Sequence, residues 1–381
     1  MRRYVDAGLL PGASWAVLRD GELVDERAVG FADLEAGTPL ARDHLFRAYS
    51  NTKLVTSCAV LMLHEAGAFD LDEPIGRRMP QLADRRVLRP GASSLEDVEP
   101  ARSPITIRQL LAHSSGLSYG LLDPGTPMYE AYAARRILGS STTLATMVDA
   151  LADLPLSFHP GTSWEYSIAT DVLARLVEIA SGEPFDAFLR ERLLGPLGMR
   201  DTGFFVPPAD AHRLCAHYAG ADPLVPMRPG LSRLDGREYR DAFLGPRPRL
   251  SGGGGLVSSL PDTTAFVRAL LPGGAMPLSP RIRAEMMRNQ LPEGLWIRLG
   301  ASRAVRGKGY GLGGAVTVRP SSIDPPGSED EFQWGGLGGT HWWIAPRQGL
   351  AAVVMTQRHL GFWHPFSFEF KREVFAALAP T

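Results

Sequence analysis

A run of β-forming residues, Ser14-Trp15-Ala16-Val17-Leu18-Arg19, breaks at Asp20-Gly21 and resumes at Glu22-Leu23-Val24. Asp-Gly between two such runs predicts a hairpin with a tight turn. From Leu54 to His64 the apolar residues leave almost no polar stripe, and Gly67 closes the segment. A helix of that kind sits inside a protein rather than on its surface. Ile105 to Leu111 begins a further helix, and Val172-Leu173 with Leu176-Val177 predicts another at i, i+4 spacing, stopped by Gly182. Residues 251–255 (Ser-Gly-Gly-Gly-Gly) are flanked by apolar residues, so close backbone packing is expected there rather than a linker. A helix follows around Thr264 to Leu271. Trp342-Trp343-Ile344 and Leu350 to Met355, joined through Pro346 to Gly349, predict an antiparallel pair, and a helix from Lys371 to Leu378 closes the chain. Strands at both ends with helices between predict one unit. Its α/β part is drawn from residues 1–69 and 250–381, and residues 70–249 form a mainly helical insertion.

Composition narrows the function classes. The 381 residues carry a formal net charge of -1 with no run of like charge, which removes the footprint of a nucleic-acid or membrane-surface binder. The longest strongly apolar run, Cys58 to Leu63, is far too short to cross a bilayer. Asp6 and Pro11 interrupt any signal-peptide core, and two cysteines, Cys58 and Cys215, do not make a disulfide framework. A cytoplasmic enzyme is the expectation. Only Lys53, Lys308 and Lys371 are lysines among 40 lysine and arginine residues. Base composition of the source genome accounts for the scarcity, yet lysine, unlike arginine, can give up its proton in a protein.

Ser50-Asn51-Thr52-Lys53 opens the apolar helix. Residues i and i+3 share a helix face about 5–6 Å apart at Cβ, so Lys53 can reach the Ser50 hydroxyl. The N–H groups at a helix start suit a developing oxyanion, and with burial they are expected to push the lysine pKa down. Taken alone, the same four residues also describe a capping serine and a solvated lysine. The buried character of the helix and the rarity of lysine favour chemistry. A second piece is Trp164-Glu165-Tyr166-Ser167, ahead of a helix. Tyrosine titrates near 10 unperturbed, and a neighbouring ammonium makes its phenolate more accessible, although core packing also explains the aromatics. The third piece, residues 334–340 (Trp-Gly-Gly-Leu-Gly-Gly-Thr), stands at the entrance to a strand, where an edge backbone N–H can serve as a second oxyanion donor.

These three pieces, in this order, resemble the serine β-lactamase and D-alanyl-D-alanine peptidase superfamily, in its class C-like branch that includes the family VIII carboxylesterases. Residues 46–49 (Phe-Arg-Ala-Tyr), 105–119, Pro160-Gly161-Thr162, Pro196 to Met199 and 251–257 add to the resemblance, which runs from about residue 8 to near the C-terminus. It implies an antiparallel sheet flanked by helices plus a helical domain. It also implies Ser50 as nucleophile, Lys53 as its partner, Tyr166 as general base, and the N–H groups of Ser50 and Leu337 as oxyanion hole. Trp334, Gly335, Gly336, Tyr119 and Trp342 are expected along the substrate, with Trp343, Phe362 and Trp363 as further pocket or core residues. No cofactor and no metal is called for; the expected partner is a small-molecule ester, with neither nucleic acid nor membrane.

Two departures from the β-lactamase pattern shape the expected substrate. The usual Tyr-x-Asn reads Tyr166-Ser167-Ile168, and the usual Lys-Thr-Gly or His-Thr-Gly reads Trp334-Gly335-Gly336. Loss of the amide and of the charge points to neutral esters, handled by acyl transfer through Ser50. A β-lactamase or D-amino-acid peptidase, an acyltransferase, and a non-catalytic binding module are the alternatives. Residues 116–120 (Gly-Leu-Ser-Tyr-Gly) match an esterase elbow but follow a helix rather than a strand. The segment His212 to His217 offers three possible metal ligands, His212, Cys215 and His217, without a second cluster of matching spacing.

Overall fold

The computed structural model describes residues 1–139, 141–234, 243–298 and 304–378. The predicted hairpin is β1 (Gly12–Arg19) and β2 (Glu22–Asp33), followed by the short β3 (Thr38–Pro39). Asp20 and Gly21 both take positive φ (50° and 83°), the turn geometry that Asp-Gly favours because it matches strand twist. Next come β4 (Leu45–Arg47), β5 (Arg86–Leu88) with β6 (Val98–Pro100), β7 (Tyr218–Gly220) with β8 (Leu231–Arg233), and β9 (Val257–Ser259). The last five strands are β10 (Lys308–Tyr310), β11 (Ala315–Thr317), β12 (Phe332–Gly335), β13 (His341–Ala345) and β14 (Leu350–Met355). Eight of them form one antiparallel sheet in the order β10-β11-β12-β13-β14-β1-β2-β3. The join between the chain's two ends, β14 against β1, pairs Trp15 with Val354.

Strand periodicity buries both faces of this sheet. Ala16, Leu18, Trp342, Ile344, Val353 and Met355 point to one core, while Trp15, Val17, Trp343 and Ala352 point to the other. Helices α1 (Arg2–Asp6) and α10 (Phe366–Leu378) cover the second face. The first face meets α2 (Thr52–Glu65) and, further along, α8 (Leu260–Leu270) and α9 (Pro280–Met287). Between them run α3 (Ile107–Leu111), α4 (Pro127–Ala134), α5 (Leu144–Ala152), α6 (Ala169–Ser181) and α7 (Phe185–Leu189). Thr106 and Gln109 form a reciprocal capping box at the start of α3, and Gly182 ends α6 in the left-handed conformation. The α10 helix is pinned to the sheet by buried charge. Lys371 pairs with Glu331 at 2.7 Å, and Lys308 pairs with Asp324 at 2.6 Å. Cys58 and Cys215 are both buried free thiols. Among the described residues no helix is long and apolar enough to cross a membrane.

Candidate active site

Ser50 lies in a single 3₁₀ turn, Tyr49–Asn51, directly ahead of α2. Tyr49 takes φ +44°, which is costly for an aromatic residue and has to be imposed by its surroundings. Its hydroxyl meets His217 Nδ1 at 3.2 Å, its ring packs edge-on to Phe243, and Gly338 lies against its face. This clamp turns the chain so that Ser50 projects from the helix start.

Two side chains converge on the Ser50 Oγ. Tyr166 Oη lies 2.6 Å away, and Lys53 Nζ lies 3.4 Å away. Lys53 is buried and donates in two other directions, to the Gly253 carbonyl at 2.6 Å and to Tyr119 Oη at 3.5 Å. Its Nζ also stands over the Tyr166 ring, 4.5 Å from the centroid. Three donors of an ammonium thus meet three oxygens. The Trp334 indole N–H reaches Tyr166 Oη at 3.4 Å, and the two rings lie 5.3 Å apart.

The electrostatics correct one sequence expectation. Burial taken alone lowers the Lys53 pKa, but the oxygens of Tyr119 and Tyr166 and the Asp171 carboxylate outweigh it. Lys53 is therefore held above the ordinary lysine range, not below it. Burial pushes Tyr119 up to about 12, with Lys53 acting in the opposite sense. Burial, aided by Lys53, keeps His113 well below the usual imidazole range, so this histidine is neutral. His113 Nδ1 contacts Ser167 Oγ at 2.9 Å, which accounts for the residue one place before the missing amide.

Leu337 sits at the second position of the turn Gly336–Gly339, closed by the Gly339 N–H to the Gly336 carbonyl. The N–H at that position of a turn is not used by the turn itself. The strand that leads into this turn, β12, lies inside the sheet, yet β11 pairs only with Phe332 and Gln333. Trp334 and Gly335 therefore extend past their neighbour, which makes a local edge beside Ser50.

The expected substrate residues divide. Trp334 is half-buried at the site, whereas Tyr119 joins the Lys53 network through its hydroxyl. Trp342 lies opposite Trp334 across β12 and β13 and shares its sheet face, but it is 1 % exposed and packs edge-on to Phe332 in the inner core, so it does not line the cleft. Trp343, one residue on, packs against Phe375 on the opposite face. Gly335 and Gly336 have a steric reason of their own. A Cβ on Gly335 would lie 2.6 Å from the His341 ring, and one on Gly336 would lie 2.4 Å from the Ala48 carbonyl oxygen. Phe362 lies close to Gly335, and the Trp363 side chain is outside the described residues.

The glycine run is a packed element. At Gly252 a Cβ would meet Ala174 and the Thr170 carbonyl at 2.7 Å, so the run threads between α2 and α6. Asp171, in the first turn of α6, is a buried carboxylate behind Lys53 that sequence reading missed. The Ser118 elbow is buried away from Ser50, its N–H bonded to Tyr132 Oη. His212 caps the Ala209 carbonyl while His217 serves Tyr49, and among the described residues no group of three metal-ligand side chains forms.

Fold and site together define a serine hydrolase of β-lactamase fold. The chain belongs to the Beta-lactamase family, whose model matches residues 1–364. It is 34% identical over 381 residues to esterase EstB of Burkholderia gladioli, covering 96% of this chain and 91% of that one. Protein Rv1367c of Mycobacterium tuberculosis is 36% identical over 373 residues, covering 94% and 88%. Among solved structures, EstCE1, described as a hydrolase with promiscuous acyltransferase activity, superposes with a TM-score of 0.83 at 26% identity, covering 98% and 96%.

Proposed function

We propose that this protein is a carboxylesterase that hydrolyses small, uncharged esters through an acyl-enzyme on Ser50. The observation that carries the reading is the 2.6 Å approach of Tyr166 Oη to Ser50 Oγ beside a buried ammonium. As Oγ attacks the ester carbonyl carbon, its proton passes to the Tyr166 oxygen. The tetrahedral oxyanion is held by the N–H groups of Ser50 and Leu337. Collapse breaks the bond to the alcohol oxygen, which leaves with that proton. Water then attacks the acyl carbon, gives a proton to Tyr166, and the proton returns to Ser50 as the acid departs. Lys53 stays charged throughout, its ammonium 3.4 Å from Ser50 Oγ. Trp334 supports the choice of substrate, because an indole stands where a carboxylate-binding lysine or histidine would carry charge. EstB is an esterase by name, and the promiscuous acyl transfer of EstCE1 fits an acyl-enzyme that an alcohol can intercept in place of water.

An ester panel compared across the wild type, Ser50→Ala and Ser118→Ala tests this. Turnover of p-nitrophenyl butyrate and fluorophosphonate labelling are expected to vanish only in Ser50→Ala. Loss of both only in Ser118→Ala, or cephalosporin turnover well above ester turnover, would overturn it.

A further inference from the structure

Lys53 is walled off from solvent, and its three hydrogen-bond acceptors are all formally neutral oxygens. A buried ammonium without a counter-charge is costly. The carboxylate that acts on it is Asp171. One point in space shows how the groups are arranged. A Cβ placed on Gly253 would lie 2.4 Å from Asp171 Oδ2, 3.3 Å from Lys53 Nζ and 3.3 Å from Tyr119 Oη. The absent side chain is what lets these three groups crowd around the Gly253 peptide, whose carbonyl accepts a hydrogen bond from Lys53.

Asp171 itself is 1 % exposed, and among the described residues neither of its oxygens has a hydrogen-bond partner of normal geometry. Burial raises the Asp171 pKa above the ordinary carboxylate value, and the Arg249 guanidinium, the Ser251 hydroxyl, Lys53 and the Gly253 N–H work against that rise by favouring the charged form. Position three of the thirteen-residue α6 adds the positive end of the helix dipole. The other titratable groups around the pair are Tyr119, Tyr166 and the neutral His113.

We infer that Asp171 is the buried counter-charge of the Lys53 ammonium, a positioning residue that acts on Ser50 only through the Gly253 peptide and Lys53. The inference rests on the reading of Ser50 and Lys53 as the acyl-transfer pair. It assigns the mobile proton to the Ser50–Tyr166 couple, because Lys53 is fixed in one charge state.

The protein's three lysines make a direct test practical. Carbon-13 labelling of lysine Cε gives three resonances, and Lys53 is identified by its absence in Lys53→Arg. In the wild type the Lys53 signal is expected to keep its ammonium position beyond about pH 10. In Asp171→Asn its midpoint falls by on the order of one pH unit or more. The alkaline limb of kcat/KM on p-nitrophenyl butyrate moves down with it, while the Lys308 and Lys371 signals stay in place and report an intact fold. A Lys53 titration unchanged in Asp171→Asn would overturn the inference. A wild-type Lys53 midpoint below about 9 would do so as well, and that measurement stands even if the variant does not fold. Failure of the esterase reading looks different: no ester turnover in the wild type, with the Lys53 shift still present.

Discussion

Trp334 shows how a single atom separates two roles that one side chain can play. Its ring walls the site and its Nε1 reaches Tyr166 Oη at 3.4 Å. Trp334→Phe keeps an aromatic wall and removes the donor. A long neutral hydrogen bond of this kind contributes about 1 kcal/mol or less, so kcat is expected to fall by roughly 2- to 5-fold with KM for short esters little changed. A rise in KM at constant kcat, measured by steady-state kinetics, would mean that only the wall matters. Ser50, Lys53 and Tyr166 were legible from sequence because local spacing and motif order mark them. The charge state of Lys53 was not, since it depends on Tyr119 and Asp171, which join it only through the tertiary fold. Asp171 carried no signal at all: an acidic residue in a helix's first turn is ordinary.

Elements set the site by steric fit. The turn that carries Leu337 is pressed against the segment before Ser50, where Gly336 leaves no room for a side chain and the Thr340 hydroxyl bonds the Ala48 carbonyl. Gly336→Ala is therefore expected to lower stability by about 1–3 kcal/mol, as overpacking does, and to cut kcat/KM by tenfold or more by moving the Leu337 N–H. Gly245→Ala, where nothing lies within 4 Å of the added carbon, is the matched control. Thermal melts and ester kinetics on both variants measure the difference. Long elements with a clear period, namely the β1–β2 hairpin, α2, α6 and the β13–β14 pair, were readable in advance. The three-residue strands β5 to β11 were not, because so short a run holds no period and is fixed by its partner.

At the scale of the molecule, burial of histidine governs acid stability. Burial holds His217 at about 3, His341 and His364 at about 4, and His113 well below the usual range, while His44 and His359 are lowered too. Unfolded histidine binds its proton near 6.5, so below that pH the unfolded chain takes up protons that the native state refuses. Stability is therefore present above about pH 6.5 and is lost as pH falls toward 4. The loss is about 1.4 kcal/mol per pH unit for each such group. Burial raises Glu165, Asp171 and Asp262, which act in the opposite sense across the lower part of that window. Melting temperature measured from pH 8 to pH 4.5 is expected to stay level to about 6.5 and then drop. A Tm that rises on acidification would contradict this account.

All three lysines lie inside the fold: Lys53 in the site, Lys308 and Lys371 in the ion pairs under α10. Outward positive charge is carried by arginine, whose guanidinium does not acylate under mild conditions. An enzyme built to handle activated carbonyl compounds thus offers no ε-amine for them to modify. Coupling chemistry that tethers proteins through lysine would find nothing on this surface except the chain's own amino terminus.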